Sequence, residues 1–166
     1  MEAILEDLFR QHRDAERMLV DLAGAAERVR GHGAHAVMDE LRRLRHEIQG
    51  EVLSHFREEE LALFPVLGRH AESSSGPIAV MMEEHARFRQ LELEFEEALA
   101  ALESGLEEDW ADRLCGAADE IGRLLPPHIE KEEGILFPMA EASLEEAEWA
   151  QVRQLWKDAV AASLET

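Results

Sequence analysis

The stretch that decides the fold is HFREEELALFP at residues 55–65, which returns as HIEKEEGILFP at residues 128–138. Both copies follow the pattern HxxxEExxLFP, and an offset of 73 residues separates them. The same offset relates His12 to His85. Chance similarity between two acidic, Leu-rich halves would align a few Leu and Glu positions, but rarely the whole motif together with two His pairs. The repeat therefore predicts two similar helical hairpins.

The composition of the whole chain favours helix. Ala, Leu and Glu are abundant, Tyr is absent and runs of β-branched residues are few, which disfavours sheet. The 166 residues fit one domain of ordinary size. We expect an all-α protein, an up-down-up-down four-helix bundle over residues 1–142 with an additional C-terminal helix at residues 143–166 packed on it.

Apolar residues three and four positions apart predict where the first helices lie. The first helix is expected over residues 2–30, with His12 on its buried face, and the second is expected to run up to Phe64. A Gly- and Ser-rich linker at residues 68–77 leads to the third helix, which carries His85.

The second hairpin carries additional boundary signals. Asp109 is expected to cap the fourth helix, and Pro126 with the proline after it predicts a local kink or bulge just before His128. Ser143 and Glu146 have the spacing of a capping box and predict the start of the fifth helix.

The net charge restricts the classes of partner. A formal charge of −20, from 17 Lys and Arg against 37 Asp and Glu, argues against nucleic acid and anionic lipid surfaces. No apolar run approaches membrane-spanning length, and the N-terminal residues lack the basic start and apolar stretch of a secretory signal. We expect a cytoplasmic protein, in which Cys115 has no internal disulfide partner.

Each predicted bundle helix carries one inward-facing histidine. Four buried imidazoles would leave several ring nitrogens without water, at a cost of kilocalories unless a metal satisfies them. In both motif copies a glutamate follows the histidine by four residues, so the two side chains share a helix face. The candidate metal ligands are two equivalent sets of His, His and Glu: His12, His55, Glu59, His85, His128 and Glu132.

Other histidines and carboxylates are not expected to be ligands. Four glutamates adjoin the motif ligands but lie about 100° or more around the helix, so they are expected to be solvated or to contact the ligands from outside: Glu58, Glu60, Glu130 and Glu133. Four further histidines lie on an outer helix face or near connections: His32, His35, His46 and His70.

The two motifs and the inward histidines resemble the hemerythrin-like, or HHE cation-binding, domain over about residues 4–140. The resemblance implies four terminal histidine ligands, with Glu59 and Glu132 bridging two iron ions that share an oxo or hydroxo group. Oxygen-carrying hemerythrins have a further histidine four residues from the one on the third helix, where this chain has Met81 and Arg89. Each iron would then be five-coordinate, with an open position for a small ligand.

The six-ligand set is also similar to the di-iron domain of the iron-sulfur-cluster repair proteins. Those proteins carry a short cysteine-bearing segment ahead of the bundle, whereas this chain begins with the first helix and has only Cys115, which weakens a repair role. Iron itself rests on the resemblance, because imidazole and carboxylate also accept manganese and zinc.

These observations indicate a non-haem di-iron protein that binds or reacts with O2, NO or peroxide in the response to, or sensing of, oxidative and nitrosative stress. Turnover as an NO or peroxide oxidoreductase stays open, because the sequence supplies no obvious dedicated proton donor. The alternative is a regulatory helical bundle whose metal or redox state controls a protein partner. In that case the fifth helix, with Trp149 and Trp156, would provide the contact surface.

Overall fold

The computed structural model describes residues 2–70, 76–106 and 109–163, and every regular element within these ranges is helical. A 3₁₀ turn at Ala34–Val37 joins the first two helices. The helices in chain order are α1 (Ala3–His32), α2 (residues 38–67), α3 (Pro77–Glu103), α4 (residues 110–143) and α5 (Glu146–Ser163). The predicted all-α bundle with an additional C-terminal helix is confirmed. Part of the predicted linker, residues 71–75, lies outside the described residues.

The apolar stripes of the helices form two clusters of buried side chains. One cluster joins the second half of α1 to α2, α3 and the first half of α4, and includes Leu22, Leu41 and Phe95. The other joins the start of α1 to the ends of α2 and α4 and to α5, and includes Leu63 and Trp149. The inward-facing histidines lie between these clusters.

Three π-helical turns interrupt the helices. Two of them, Glu59–Leu63 in α2 and Glu132–Leu136 in α4, are related by the repeat. Each of these turns precedes the proline of LFP, which has no N–H to donate to the carbonyl four residues back. The residue before the proline makes a π-type bond to the carbonyl five residues back, as in Phe64 N–H to the Glu59 carbonyl. The third turn, Ile48–Val52, corresponds to residues 121–125, which lie in a regular part of α4.

Of the kink or bulge predicted just before His128, the bulge is absent there. The first segment of α4, Trp110–Lys131, continues through Pro126 and Pro127, and the irregular turn begins only at Glu132. Both prolines and the preceding Gly122 are exposed, so water can bond the carbonyls that the prolines leave without a helical donor.

The predicted helix caps also differ from those observed. Asp109 does precede α4, but its φ of 62° is left-handed and its side chain makes no cap bond, since a capping side chain needs an extended backbone. The predicted capping box of Ser143 and Glu146 is absent, and a single capping bond forms two residues later, in which Glu148 accepts the Glu145 N–H at 3.1 Å. Among the described residues, no helix is long and apolar enough to cross a bilayer.

Candidate metal centre

The structure brings all six predicted residues into one buried centre. Each of α1, α2, α3 and α4 contributes one histidine, and the two π-helical turns that begin at Glu59 and Glu132 contribute the carboxylates. Both glutamates are 0% exposed. Burial of two carboxylates without a compensating cation would be expensive.

The donor atoms form two overlapping groups. The first group is His12, His55, Glu59 and Glu132, and the second is Glu59, His85, His128 and Glu132. Within each group the nitrogen and oxygen atoms lie within 4.8 Å of one another, so each could hold a metal ion. Both glutamates belong to both groups. Two imidazoles and two carboxylates per group are a donor set suited to divalent transition metals.

The centre has donor atoms that no protein group satisfies. Six buried atoms lack a hydrogen-bond partner among the described residues: Glu59 Oε1 and Oε2, His85 Nε2, His128 Nε2, and Glu132 Oε1 and Oε2. Buried polar atoms are nearly always paired, and all six of these face ligands of the same centre. Cations bound by the two groups would satisfy them together, so the residues fit a dinuclear metal centre.

Outer hydrogen bonds orient two of the histidines across the halves of the repeat. The His12 Nδ1–H donates to Glu133 at 2.9 Å, and the His85 Nδ1–H donates to Glu60 at 2.8 Å. Arg13 pairs with Glu133, and Arg89 bonds Glu60 at 2.9 Å. With the Nδ1 proton held outward, each Nε2 is left as the metal-facing donor.

The other two histidines are oriented by residues that sequence reasoning missed. The His55 Nδ1–H donates to Gln11 Oε1 at 2.6 Å, and the His128 Nδ1–H donates to Glu84 at 2.9 Å. The repeat offset relates Gln11 to Glu84, each immediately before an inward histidine, and this was the available signal. The predicted contacts of Glu60 and Glu133 are present.

Aromatic rings enclose the imidazoles. Phe137 stacks on His12 with ring centroids 5.5 Å apart, and the repeat-related Phe64 stacks on His85 at 5.8 Å. Phe56 also stacks on His85, with ring centroids 3.8 Å apart. These rings cover the faces of His12 and His85 and fix their planes.

The two buried carboxylates have opposite pKa shifts. Burial, together with the adjacent charge of Glu132, raises the pKa of Glu59 well above its ordinary value. Burial also disfavours the charged form of Glu132, but the close imidazoles, with His12 Nε2 at 3.0 Å and His128 Nε2 at 3.1 Å, outweigh it and hold the pKa of Glu132 well below its ordinary value. The metal-free centre therefore favours one neutral and one charged carboxyl group.

The pKa values of the histidines also shift in opposite directions. Burial lowers the pKa of His55 to about 4, and it lowers the pKa of His85 as well. Burial also opposes the charged form of His128, but Glu132 and Glu84 outweigh it and raise the pKa of His128. Neutral imidazoles are the form that binds metal.

The remaining histidines lie away from the centre. All four are exposed, and His70 bonds Glu148 at 2.7 Å. Met81 and Arg89, at the positions of the additional histidine ligand of the oxygen carriers, have other roles, since Met81 is buried in the core and Arg89 bonds Glu60.

The family comparison agrees with this geometry. The family model described as hemerythrin HHE cation-binding domain matches residues 3–140, which include all six candidate ligands. No curated protein and no solved structure matches the chain.

Proposed function

This chain belongs to the hemerythrin HHE cation-binding domain family, and on that premise we propose that it is a non-haem di-iron protein that binds or reacts with O2, NO or peroxide. The observation that carries the proposal is the pair of four-donor groups sharing Glu59 and Glu132. The carboxylate oxygens of both glutamates lack partners among the described residues, as bridging ligands do before metal binds.

Under this proposal each ligand has a defined role. His12 and His55 would hold one iron, the two histidines of the second group would hold the other, and Glu59 and Glu132 would bridge them. When bound, the irons supply electrons and open coordination positions for a small ligand. The protein orients the imidazoles through their Nδ1 protons and covers the rings of His12 and His85 with stacked phenylalanines.

The six-ligand count favours reactivity over dedicated oxygen carriage. Met81 and Arg89 leave the second group without the additional histidine that the oxygen carriers use, so both metal positions would keep a site for a small ligand. A role in oxidative or nitrosative stress is consistent with such a centre. We propose a metal-binding domain at residues 1–142 and a C-terminal segment at residues 143–166, of which Glu146–Ser163 forms the packed helix α5.

Metal analysis tests the proposal directly. Metal-free protein is loaded anaerobically with Fe²⁺, desalted, and assayed for bound iron and for Mössbauer signals of coupled iron. We expect two irons per chain, and fewer than one in Glu59→Ala. Glu130→Gln, which alters an exposed carboxylate beside the centre, is the matched control and should retain two. Wild-type protein that retains fewer than two irons per chain, or that shows no signal of coupled iron, would overturn the proposal.

The regulatory alternative rests on the position of α5. This helix packs against the turn that begins with Glu59, so a change at the metal centre can alter its docking. Trp149 and Trp156 are buried in the core, and a partner would therefore contact the outer face of α5. Metal-dependent protection of residues 143–163 from protease would favour this function, and equal cleavage with and without metal would argue against it.

A further inference from the structure

The two halves of the bundle differ in how the centre communicates with solvent. A cavity of about 220 Å³ lies between α1 and α2, and His12, His55 and His128 form part of its wall. Carboxylates line the same cavity: Asp14, Glu47, Glu51 and Glu58. The cavity therefore joins an acidic part of the surface to ligands of both groups.

The repeat provides an internal comparison for this cavity. Residues related to the cavity lining by the offset form a shallow recess between α3 and α4: Arg87, Leu91, Glu120, Arg123 and Leu124. None of the six candidate ligands lines that recess. Phe88 occupies the repeat-related position of Ala15. Its ring is fully buried and packs against the ring of Phe56, with centroids 5.2 Å apart. The larger side chain fills the space that Ala15 leaves open.

The backbone differs at the same place. The π-helical turn Ile48–Val52 includes Gly50, Glu51 and Val52, which line the cavity. Its counterpart in α4 is regular helix, with Arg123 at the position of Gly50. This π-helical turn, which has no counterpart in α4, widens α2 beside the open cavity.

The charges along the two sites also differ. The carboxylates Asp14, Glu51 and Glu58 correspond to Arg87, Leu124 and Lys131, and only Glu47 has an acidic counterpart. Arg17 pairs with Asp14, and Arg43 bonds Glu47 at 2.7 Å. Desolvation, followed by the charges of Glu47 and Asp14, raises the pKa of Glu51.

A second observation indicates what the cavity receives. His128, which lines it, is 1% exposed, and its Nε2 makes no hydrogen bond among the described residues, although it lies 3.1 Å from Glu132 Oε1. Its Nδ1 is bonded to Glu84. A cation that moves inward from the carboxylates would thus reach a buried imidazole nitrogen of the second group, which can bind it in exchange for a proton.

We propose that the cavity between α1 and α2 is the route by which divalent transition-metal cations enter the centre, and that the second half is closed to them. The acidic lining attracts and partly neutralises the cation, which then exchanges water for the Nε2 atoms of the histidines. This inference rests on the proposed metal centre, but it concerns the rate of loading rather than the final content of metal.

The test is stopped-flow uptake of Co²⁺ by the full-length, metal-free protein, followed by the absorption of bound cobalt. Glu47→Gln/Glu51→Gln should slow uptake about 10-fold at low salt and reduce its dependence on ionic strength. Glu120→Gln, at the repeat-related position of Glu47, is the matched control and should load at the wild-type rate. Final cobalt content should be two per chain in all three proteins.

A second variant tests the path itself. Ala15→Phe introduces the side chain found at the repeat-related position 88, and it should slow uptake without lowering the final cobalt content, with folding checked by circular dichroism. Equal rates in wild type, the acidic double variant and Ala15→Phe would overturn the route while leaving the metal centre intact. Failure of wild-type protein to bind two cobalt ions would instead contradict the proposed function.

Discussion

At the scale of single residues, the two candidate metal positions differ mainly in the side chain that accepts the Nδ1 hydrogen bond of one histidine in each group. His55 donates to the neutral amide of Gln11, whereas His128 donates to the carboxylate of Glu84, which is also paired with Lys131. A carboxylate partner makes an imidazole a stronger donor than an amide does. The second group should therefore bind metal more tightly than the first.

Changing the side chain that accepts the Nδ1 hydrogen bond should change the relative affinities of the two metal positions. Glu84→Gln is expected to weaken the tighter of two Co²⁺ binding steps about 10- to 100-fold, as measured by equilibrium titration against a competing chelator. The reciprocal change, Gln11→Glu, should strengthen the weaker step. Identical binding curves for wild type and Glu84→Gln would show that the outer carboxylate does not affect the metal.

Metal binding should release protons. The raised pKa values of Glu59 and His128 mean that the metal-free centre holds protons at these groups above their ordinary titration range, and both must be lost before the atoms can ligate. Apparent affinity should therefore rise with pH through those raised values. Calorimetric titration at one pH in buffers of different ionisation enthalpy should give about one to two protons released per chain.

The matched variant for this measurement is Glu59→Gln. It lacks the carboxyl proton, so any metal that it still binds should release fewer protons than the wild type does. A heat of binding that does not depend on the buffer in wild-type protein would show that both groups are already deprotonated.

The inward position of the six candidate ligands was predictable from the sequence, because helical periodicity and the repeat both place them on buried helix faces. The outer partners Gln11 and Glu84 were not, since which side chain meets a histidine Nδ1 depends on how far neighbouring helices are rotated and shifted. A one-residue difference in that alignment would present another side chain.

At the scale of the helices, the C-terminal helix is part of the bundle core. Trp149, Val152 and Trp156 of α5 are buried with Leu63 and Phe64 of α2. α5 packs against the π-helical turn Glu59–Leu63 of α2. It therefore supports the backbone that carries Glu59, a candidate bridging ligand.

Trp149→Ala should therefore lower the free energy of unfolding by about 3–5 kcal/mol, as measured by urea unfolding of the metal-free protein. It should also weaken Co²⁺ binding. Val20→Ala, on a side chain that is 72% exposed, is the control and should change stability by less than about 0.5 kcal/mol. A similar small change for Trp149→Ala would indicate that α5 contributes little to the bundle.

Helix positions followed from the sequence better than their irregularities did. The apolar spacing predicted which face of each bundle helix is buried, but α1 continues through Gly31 to His32 and is capped by Gly33, whose φ is 82°. The π-helical turns were missed because a proline can be accommodated by a kink or a wider turn. Side-chain packing on both sides of the proline selects between them.

At the scale of the molecule, the repeat predicts the common architecture of the halves, and the differences between them come from side-chain volume and charge. The offset pairs Ala15 with Phe88 and Gly50 with Arg123, yet only the packed structure shows that one combination leaves a cavity and the other fills it. Sequence periodicity records which face is buried, but not how completely the buried space is filled.

Metal should stabilise the whole fold through the centre. A cation that binds only the folded protein contributes about 2.7 kcal/mol per site when its free concentration is 100 times the dissociation constant. Thermal unfolding should therefore shift upward with Co²⁺ and return to the metal-free value with excess chelator. No shift would mean that the six residues form no metal site in the folded chain.

The variant Glu59→Gln separates metal binding from folding across the molecule. The raised pKa of Glu59 favours its neutral form in the metal-free protein, and the glutamine amide has nearly the same shape. Metal-free Glu59→Gln should therefore unfold within about 1 kcal/mol of wild type, whereas its stabilisation by Co²⁺ should be largely lost, because both donor groups include this residue. Strong destabilisation of the metal-free variant would show that the ionised carboxylate is required for folding, and full stabilisation by Co²⁺ would show that Glu59 is not a shared ligand.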